Sequence, residues 1–129
     1  MATTTETAKV GQPAPDFDMA STKNIEKLNE NVRLSDYKGK WLVLLFYPLA
    51  SDQTKDVSRA YGVLIENQGI ALRGLFVIDP EGTLRYAVVH DLNVGRSAEE
   101  TLRVIQALQT GGLCQAEWKP GQKTLSAGA

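Results

Sequence analysis

"WLVLLFYPLASDQTKDVSRAYG", residues 41–62, changes abruptly from apolar to polar after Pro48. The apolar part, 41–47, is short and rich in Leu and aromatic residues, which is typical of a buried strand in an α/β sheet. Such strands bring ligands and catalytic groups to their carboxyl ends. We therefore expect the chemistry of this protein to lie immediately after Pro48.

The polar part of this stretch has the spacing of a short helix. Val57, Ala60 and Tyr61 lie at i, i+3 and i+4, so they form one apolar face. Gly62 is a suitable stop, and two polar residues upstream are candidate N-caps. These N-cap candidates are Ser51 and Asp52.

Two strands and a second helix are predicted further along the chain. Residues 71–79 and 83–90 are predicted to be strands and are joined by "DPEG", whose Pro and Gly positions fit a type I turn. In the helix that follows, Ser97 and Glu100 form a capping box, and Gly111 ends the helix. Its apolar stripe consists of Leu102, Ile105, Ala107 and Leu108.

The order of these elements is strand, helix, strand–turn–strand, helix, which predicts the α/β class. We expect the first connection to be parallel and a β-hairpin to precede the last helix. The 129 residues suffice for one folded domain. We place it at 13–110, between a flexible N-terminus (1–12) and an irregular C-terminal arm (111–129).

The composition is that of a globular protein, with 43% hydrophobic and 22% charged residues. A formal net charge of −1 gives no electrostatic reason to expect nucleic acid or an anionic membrane as a partner. No apolar stretch is long enough to span a bilayer and the N-terminus lacks an apolar leader core, so we expect a cytoplasmic protein. His90 has no second metal-binding residue at a suitable spacing, so no metal or other cofactor is expected.

Several long blocks resemble the typical two-cysteine peroxiredoxins, the alkyl hydroperoxide reductase and thiol-specific antioxidant family. The resemblance runs in order from Val10 to Leu125. It implies a thioredoxin-like fold and a thiol peroxidase that reduces hydrogen peroxide and organic hydroperoxides with a thiol reductant. The blocks are "VGQPAPDF", "LSDYKGKWLVLLFYPL", "DVSRAYGVL", "GIALRGLFVIDPEGTLRYAVVHDLNVGRSAEETLRVIQALQ" and "LCQAEWKPGQKTL".

The resemblance also implies that a segment is missing after Leu49. In the family, "FYPL" leads into a loop and helix with the peroxidatic cysteine, and two more strands follow before a segment like "ASDQTKDVSRAYG". Here "FYPL" joins "ASDQTK" directly. We therefore expect an incomplete thioredoxin-like fold that lacks the peroxidatic helix and two strands. The sequence leaves open whether the segment was deleted naturally, was removed in the laboratory or is a disordered region of the protein that this sequence omits.

The resemblance assigns roles to five residues. Cys114 falls at the position of the resolving cysteine, which closes a disulfide with the peroxidatic cysteine of the partner subunit. Arg73 falls at the arginine that contacts the peroxidatic sulfur and the peroxide, and Arg96 matches a second arginine that buttresses the site. Tyr47 and Pro48 match the strand end that leads into the catalytic loop. The peroxidatic cysteine itself has no counterpart in this chain.

Each of these residues has a simpler interpretation. A single cysteine is usually a small buried hydrophobe or an inert surface thiol, and with one cysteine only a disulfide to another chain is open to Cys114. Arg73 could be a strand charge whose head reaches solvent, and Arg96 a solvated loop charge. His90, at a strand end, is expected to be structural or exposed.

Two functions follow from these observations. The first is the function of a peroxiredoxin, which reduces peroxide with electrons from a thioredoxin-like or flavoprotein disulfide reductase. Such a protein would form a homodimer or a ring-like oligomer. The second is a catalytically inactive remnant that acts as a dimerisation or interaction module. In either case the missing strands would leave an apolar strand edge at 42–46 unpaired, which predicts association through that edge. The family dimer would form through the opposite edge, 83–90.

Overall fold

The computed structural model describes residues 7–21, 30–47 and 55–125. The chain divides into two units, residues 1–95 and residues 96–129. In the first unit the described strands are β1 (Asp18–Ala20), β2 (Asn31–Arg33), β3 (Leu42–Leu45), β4 (Leu64–Ile65), β5 (Ile70–Ala71), β6 (Arg73–Ile78) and β7 (Leu84–His90). They are accompanied by a 3₁₀ turn (Leu34–Tyr37) and helix α1 (Asp56–Ala60), and the second unit contains helix α2 (Ala98–Thr110).

The main sheet contains β3, β6 and β7 in that order, and both pairs are antiparallel. The expected parallel first connection is therefore wrong. A parallel neighbour needs a crossover of a dozen or more residues, usually a helix. The described part of this connection holds the five-residue α1 and the β4–β5 hairpin, and the chain enters β6 at the end where it left β3.

The apolar segment 71–79 forms two strands rather than one, because β5 ends at Ala71 and β6 begins at Arg73. Between them the Leu72 N–H donates to the Val63 carbonyl at 2.7 Å, so this residue extends the β4–β5 pairing and not the main sheet. The "DPEG" turn is confirmed: the Gly82 N–H donates to the Asp79 carbonyl at 3.0 Å.

The buried core of the first unit lies against one face of the main sheet. Phe76 and Ile78 of β6 contribute to it, and β3 adds its even-numbered residues. The other buried members are Ala14, Tyr61, Val63, Ala71 and Leu84. Three aromatic rings, those of Phe46, Tyr61 and Phe76, meet with centroids 4.9–5.7 Å apart, and such contacts contribute about 0.5–1.5 kcal/mol each beyond burial.

Helix α1 is anchored by the apolar face that its spacing predicts. Val57 and Ala60 pack against the core, and Tyr61 is almost fully buried. The Tyr61 hydroxyl donates to the Pro15 carbonyl at 2.7 Å, which ties the extended N-terminal segment to the core. Burial raises the pKa of the Tyr61 phenol well above its ordinary value, and the charge of Asp16 adds to this effect. The N-cap candidates at 51 and 52 lie outside the described residues.

Helix α2 begins and ends where the sequence predicts. The Ser97 Oγ accepts the Glu100 N–H at 3.1 Å, and Gly111 adopts a left-handed conformation (φ 73°) that ends the helix. The Glu100 carboxylate pairs with Arg103, an arrangement that lowers its pKa. The predicted apolar stripe is wrong at Leu102, which is 57% exposed. Thr101 beside it is buried instead, and its hydroxyl donates to the Ser97 carbonyl at 2.7 Å.

The segment after α2 is irregular, as expected, and it is held by specific contacts. Leu113 and Leu125 form an isolated antiparallel bridge. Trp118 is buried, and its indole N–H donates to the Gln122 carbonyl at 3.1 Å. The Arg103 guanidinium of α2 donates to the Trp118 carbonyl at 2.8 Å, so the described part of the arm is folded onto its own helix.

Candidate functional site

The first part of the candidate site lies at the end of the main sheet where β6 begins. Arg73 and His90 are register partners across β6 and β7, so their side chains share one face of the sheet. The Phe46 N–H donates to the Gly74 carbonyl at 2.8 Å, so the pairing continues past the end of β3 and brings Tyr47 beside Arg73. Three strands thus present Tyr47, Arg73 and His90 at one end of the sheet.

Arg73 is half-buried and is held by a main-chain acceptor. Its Nε–H donates to the Leu92 carbonyl at 2.6 Å. Since this bond uses Nε, it leaves the Nη nitrogens of the guanidinium to face an anion or a polarised oxygen. This geometry suits the role that the resemblance implies, which stays a prediction.

The loop after β7 supplies the Leu92 carbonyl and is organised by its own side chains. The Asp91 carboxylate accepts the Leu92 N–H at 2.7 Å, and the His90 Nδ1 lies 2.9 Å from the Gly95 carbonyl. A carbonyl oxygen only accepts, so His90 must donate from Nδ1. The sequence-based interpretation of His90 as structural is consistent with this contact, but its place opposite Arg73 depends on a β6–β7 register that the sequence alone did not give.

Tyr47 lies just beyond β3 and is 52% exposed. Alternate residues of a strand lie on the same face, so the Tyr47 side chain lies on the same face of the sheet as those of Val43 and Leu45. The expected site residue at 48 lies outside the described residues. The strand end that leads into the expected catalytic loop is therefore described only as far as Tyr47.

The second part of the candidate site belongs to the second unit. Arg96 is half-buried and precedes Ser97, the N-cap of α2. Cys114 is half-buried at the other end of the helix, with its Sγ 3.7 Å from the Ala107 carbonyl oxygen and 3.6 Å from the Thr110 Oγ. Helix C-termini carry partial negative charge, so this position does not provide the positive surroundings that activate a thiol as a nucleophile.

The residue types that bind metal ions are not clustered in the part of the chain that the structure describes. In the ranges 7–21, 30–47 and 55–125, no three His, Cys, Asp or Glu side chains are grouped so that they could hold a metal ion. Nor does any helix of those ranges have the length and apolar character needed to cross a membrane.

Comparison with known proteins identifies the class to which this fold belongs. The chain superimposes on the crystal structure of reduced Plasmodium vivax 2-Cys peroxiredoxin with a TM-score of 0.77 and 25% identity, covering 88% of this chain and 91% of that one. The architecture is thus a thioredoxin-like fold. The sequence model of the AhpC/TSA family matches residues 10–50 and again residues 45–87, so the two matches share 45–50.

Individual relatives agree with this result. The peroxiredoxin-like protein YkuU of Bacillus subtilis is 64% identical over 91 residues, which are 70% of this chain and 51% of that protein. This chain therefore spans about half of YkuU. A peroxiredoxin-like protein from the rubredoxin operon of Clostridium pasteurianum is 40% identical over 174 positions, covering 90% of this chain and 98% of the relative. The chain belongs to the AhpC/TSA family, the peroxiredoxins, whose members are thiol peroxidases.

The longer alignment contains a large gap in this chain. It extends over 174 positions and this chain has 129 residues, so at least 45 positions, the difference between the two, stand opposite a gap. The two family matches overlap from residue 45, and Leu45 is the last residue of β3. The sequence resemblance predicts a missing segment at the same place, and this segment stays a prediction.

Proposed function

We propose that the chain contributes the resolving step of the peroxiredoxin reaction and depends on another chain for the peroxidatic cysteine. Cys114 is the only cysteine of the 129 residues, and the observation that carries the proposal is its position at the C-terminal end of α2. There the sulfur is half-buried, and its contacts within the described ranges are the Ala107 carbonyl and the Thr110 hydroxyl, neither of which is a cation. These surroundings suit a thiol that condenses with a sulfenic acid and do not suit one that attacks peroxide.

The proposed reaction has three steps. A peroxidatic thiolate on another chain attacks the peroxide, breaks its O–O bond and becomes a sulfenic acid, while the peroxide leaves as water or an alcohol. The Cys114 thiol then attacks that sulfur, an S–S bond forms, and the sulfenic oxygen leaves as water. A thioredoxin-like or flavoprotein disulfide reductase supplies the two electrons that restore both thiols.

The overlapping family matches and the gap of at least 45 alignment positions support a chain in which the peroxidatic segment is missing. The roles that the resemblance implies for Arg73, Arg96, Tyr47 and Pro48 remain predictions. A cytoplasmic location and a homodimer through β7 remain predictions of the same kind.

The test uses a full-length peroxiredoxin whose own resolving cysteine is replaced by Ser. One equivalent of hydrogen peroxide converts its peroxidatic thiol to the sulfenic acid, and this chain is then added. We expect a mixed disulfide on a non-reducing gel, with an intact mass equal to the two chains less two hydrogens. Cys114→Ser is the matched control and should give none. Equal yields from both proteins would overturn the proposal.

A second function is favoured by the sheet itself. In the part of the chain that the structure describes, β3 pairs on one side only, which leaves an apolar edge for association. An interaction module would use this edge and would not need Cys114. The mixed-disulfide experiment therefore distinguishes the two functions.

A further inference from the structure

The outer edge of β3 has a defined hydrogen-bonding pattern. In an antiparallel pair, residues that exchange hydrogen bonds with the neighbouring strand alternate with residues that do not. The Phe46 N–H donates to the Gly74 carbonyl at 2.8 Å, and Leu44 pairs with Phe76 in the same register. The even-numbered residues of β3 therefore bond to β6. The N–H and C=O groups of Val43 and Leu45 consequently point away from the sheet.

This edge lacks the features by which sheet edges usually avoid pairing. Strand β3 reads LVLL and contains no charge and no proline. Val43 is 37% exposed and Leu45 is 41% exposed, on the same face. Among residues 7–21, 30–47 and 55–125, no strand other than β6 is hydrogen-bonded to β3. Four main-chain groups and two apolar side chains are thus presented along one short strand.

We propose that a second copy of this chain pairs antiparallel with β3, with Leu44 of each copy on the two-fold axis. In that register Val43 of one copy lies opposite Leu45 of the other. Both residues point their main-chain groups outward, so the two Val43–Leu45 pairs close four hydrogen bonds. The result is one six-stranded sheet in the order β7-β6-β3-β3-β6-β7. The proposal does not depend on the resolving role of Cys114.

The symmetry of the strand favours a second copy over another occupant. A two-fold interface needs a surface that is complementary to itself, and an uncharged apolar strand with alternating donors and acceptors meets this condition. Centring the pair on Leu44 is the one antiparallel register in which Val43 and Leu45 of each copy both pair with an outward-pointing residue of the other copy's β3. The two family matches overlap from Leu45, the last residue of β3, so the departure from the family begins at the strand whose Val43 and Leu45 main-chain groups point outward.

The first experiment removes one outward donor. Val43→Pro deletes an N–H that does not bond to β6, whereas Leu44→Pro deletes one that does. We expect Val43→Pro to stay folded by circular dichroism and to have at most about half the weight-average mass of the parent chain in sedimentation, because one two-fold interface is lost. Val43→Lys, which places a charge on the exposed face, is the second variant. An unchanged mass in both variants would overturn the proposal.

The second experiment fixes the register by cross-linking in a Cys114→Ser background. Leu44→Cys places two thiols at facing non-hydrogen-bonded positions, where Cα atoms are about 4.5 Å apart and a disulfide can form. Leu42→Cys is the matched control, because its symmetry mate would lie about four residues, roughly 14 Å, along the strand. We expect a covalent dimer from Leu44→Cys only. Cross-linking through position 42 instead would overturn the proposal.

A measurement on the unmutated chain needs no variant to fold. The Val43 and Leu45 amides should exchange slowly in concentrated solution and faster on dilution, while the Leu44 amide stays protected by β6. A concentration-independent monomer whose Val43 and Leu45 amides are protected would show an internal partner for this edge. That result would overturn the proposal.

Discussion

Arg73, the first residue of β6, donates its Nε–H to the main-chain oxygen of Leu92 at 2.6 Å. This bond joins the start of the central strand to the loop after β7, across a segment of the chain that contains the whole β6–β7 hairpin. It fixes the plane of the guanidinium, because Nε is the nitrogen nearest the side-chain stem. The orientation of Arg73 and the conformation of the loop are therefore linked.

Replacing Arg73 by Lys should loosen this loop. Lysine has no donor at the Nε position, so the Leu92 carbonyl loses its partner at a cost of about 1 kcal/mol, which is about a fivefold change in local opening. The Val94 amide, which donates to the Asp91 carbonyl at 3.1 Å, should then exchange about 5–10 times faster by NMR. Arg85→Lys is the matched control, because Arg85 pairs with Asp79 at the other end of β7. Equal exchange rates in the two variants would contradict the role of the Arg73–Leu92 bond.

Gly74→Ala should destabilise the first unit through a steric clash. A Cβ at this position would lie 2.8 Å from the Val63 Cγ1 and 2.9 Å from a ring carbon of Phe76, both of which belong to buried residues. Overpacking of this kind costs about 1–3 kcal/mol. Gly95→Ala is the control, since a Cβ there has no atom within 4 Å. Chemical denaturation should show a lower midpoint for Gly74→Ala alone, and a midpoint equal to that of the control would argue against this packing.

Asp79 should make the stability of the protein fall in acid. Burial opposes ionisation of this carboxylate, but hydrogen bonds from the Thr83 and Glu81 amides and the Arg85 guanidinium outweigh it, so its pKa is lowered from 3.8. A carboxyl whose folded-state pKa is depressed stabilises the fold above its unfolded-state pKa and loses that effect as the pH falls towards the folded-state value. We therefore expect stability to decline below about pH 4.

The variant that tests this is Asp79→Asn, which keeps an acceptor for the two amides and removes the charge. It should be less stable than the parent at pH 7, by about 1–2 kcal/mol, and the difference should shrink as the pH falls below 4. Denaturant titrations at a series of pH values provide the measurement. A difference that is constant from pH 7 to pH 3 would mean that the charge of Asp79 has no part in the effect.

A protein of these 129 residues should not consume peroxide on its own. The only thiol is Cys114, and its position at a helix C-terminus offers no prepared site for the peroxide or for the developing negative charge. A coupled assay with thioredoxin and its reductase should give background rates for this chain and for Cys114→Ser alike. Peroxiredoxin-like turnover that disappears in Cys114→Ser would contradict the prediction.

The sequence predicted the elements better than their arrangement. Local signals were sufficient for α2, where the Ser97 cap and the left-handed Gly111 mark both ends, and for the turn closed by Gly82. The direction of β3 relative to β6 was mispredicted, because strand direction depends on the path of the connection and not on the strand residues. Leu102 was misassigned because the buried face of α2 includes Thr101, whose hydroxyl donates to the Ser97 carbonyl, and a hydrophobicity pattern does not identify a buried threonine.

For the candidate site, too, the sequence predicted single residues, whereas their arrangement was known only from the fold. The positions of Arg73, Arg96, Tyr47 and Cys114 came from resemblance to a family, and the structure adds their local contacts. His90 was noted only as a single histidine, since its place opposite Arg73 is set by the pairing of two strands. The Leu92 carbonyl could not have been found from sequence, because every residue carries a main-chain oxygen and only the fold selects one.

Strands β3 and β7 are the two edge strands of the same sheet, and this has a consequence for assembly on a larger scale. Pairing through one edge alone stops at two subunits. Pairing through both edges, β3 with β3 and β7 with β7, adds subunits in a line with no built-in stop. The repeat would hold six strands, roughly 28–29 Å along the line, with a turn of about 120–150° from the accumulated sheet twist. Subunits that pair through both edges would form twisted fibres, and electron microscopy would measure the repeat of these fibres directly.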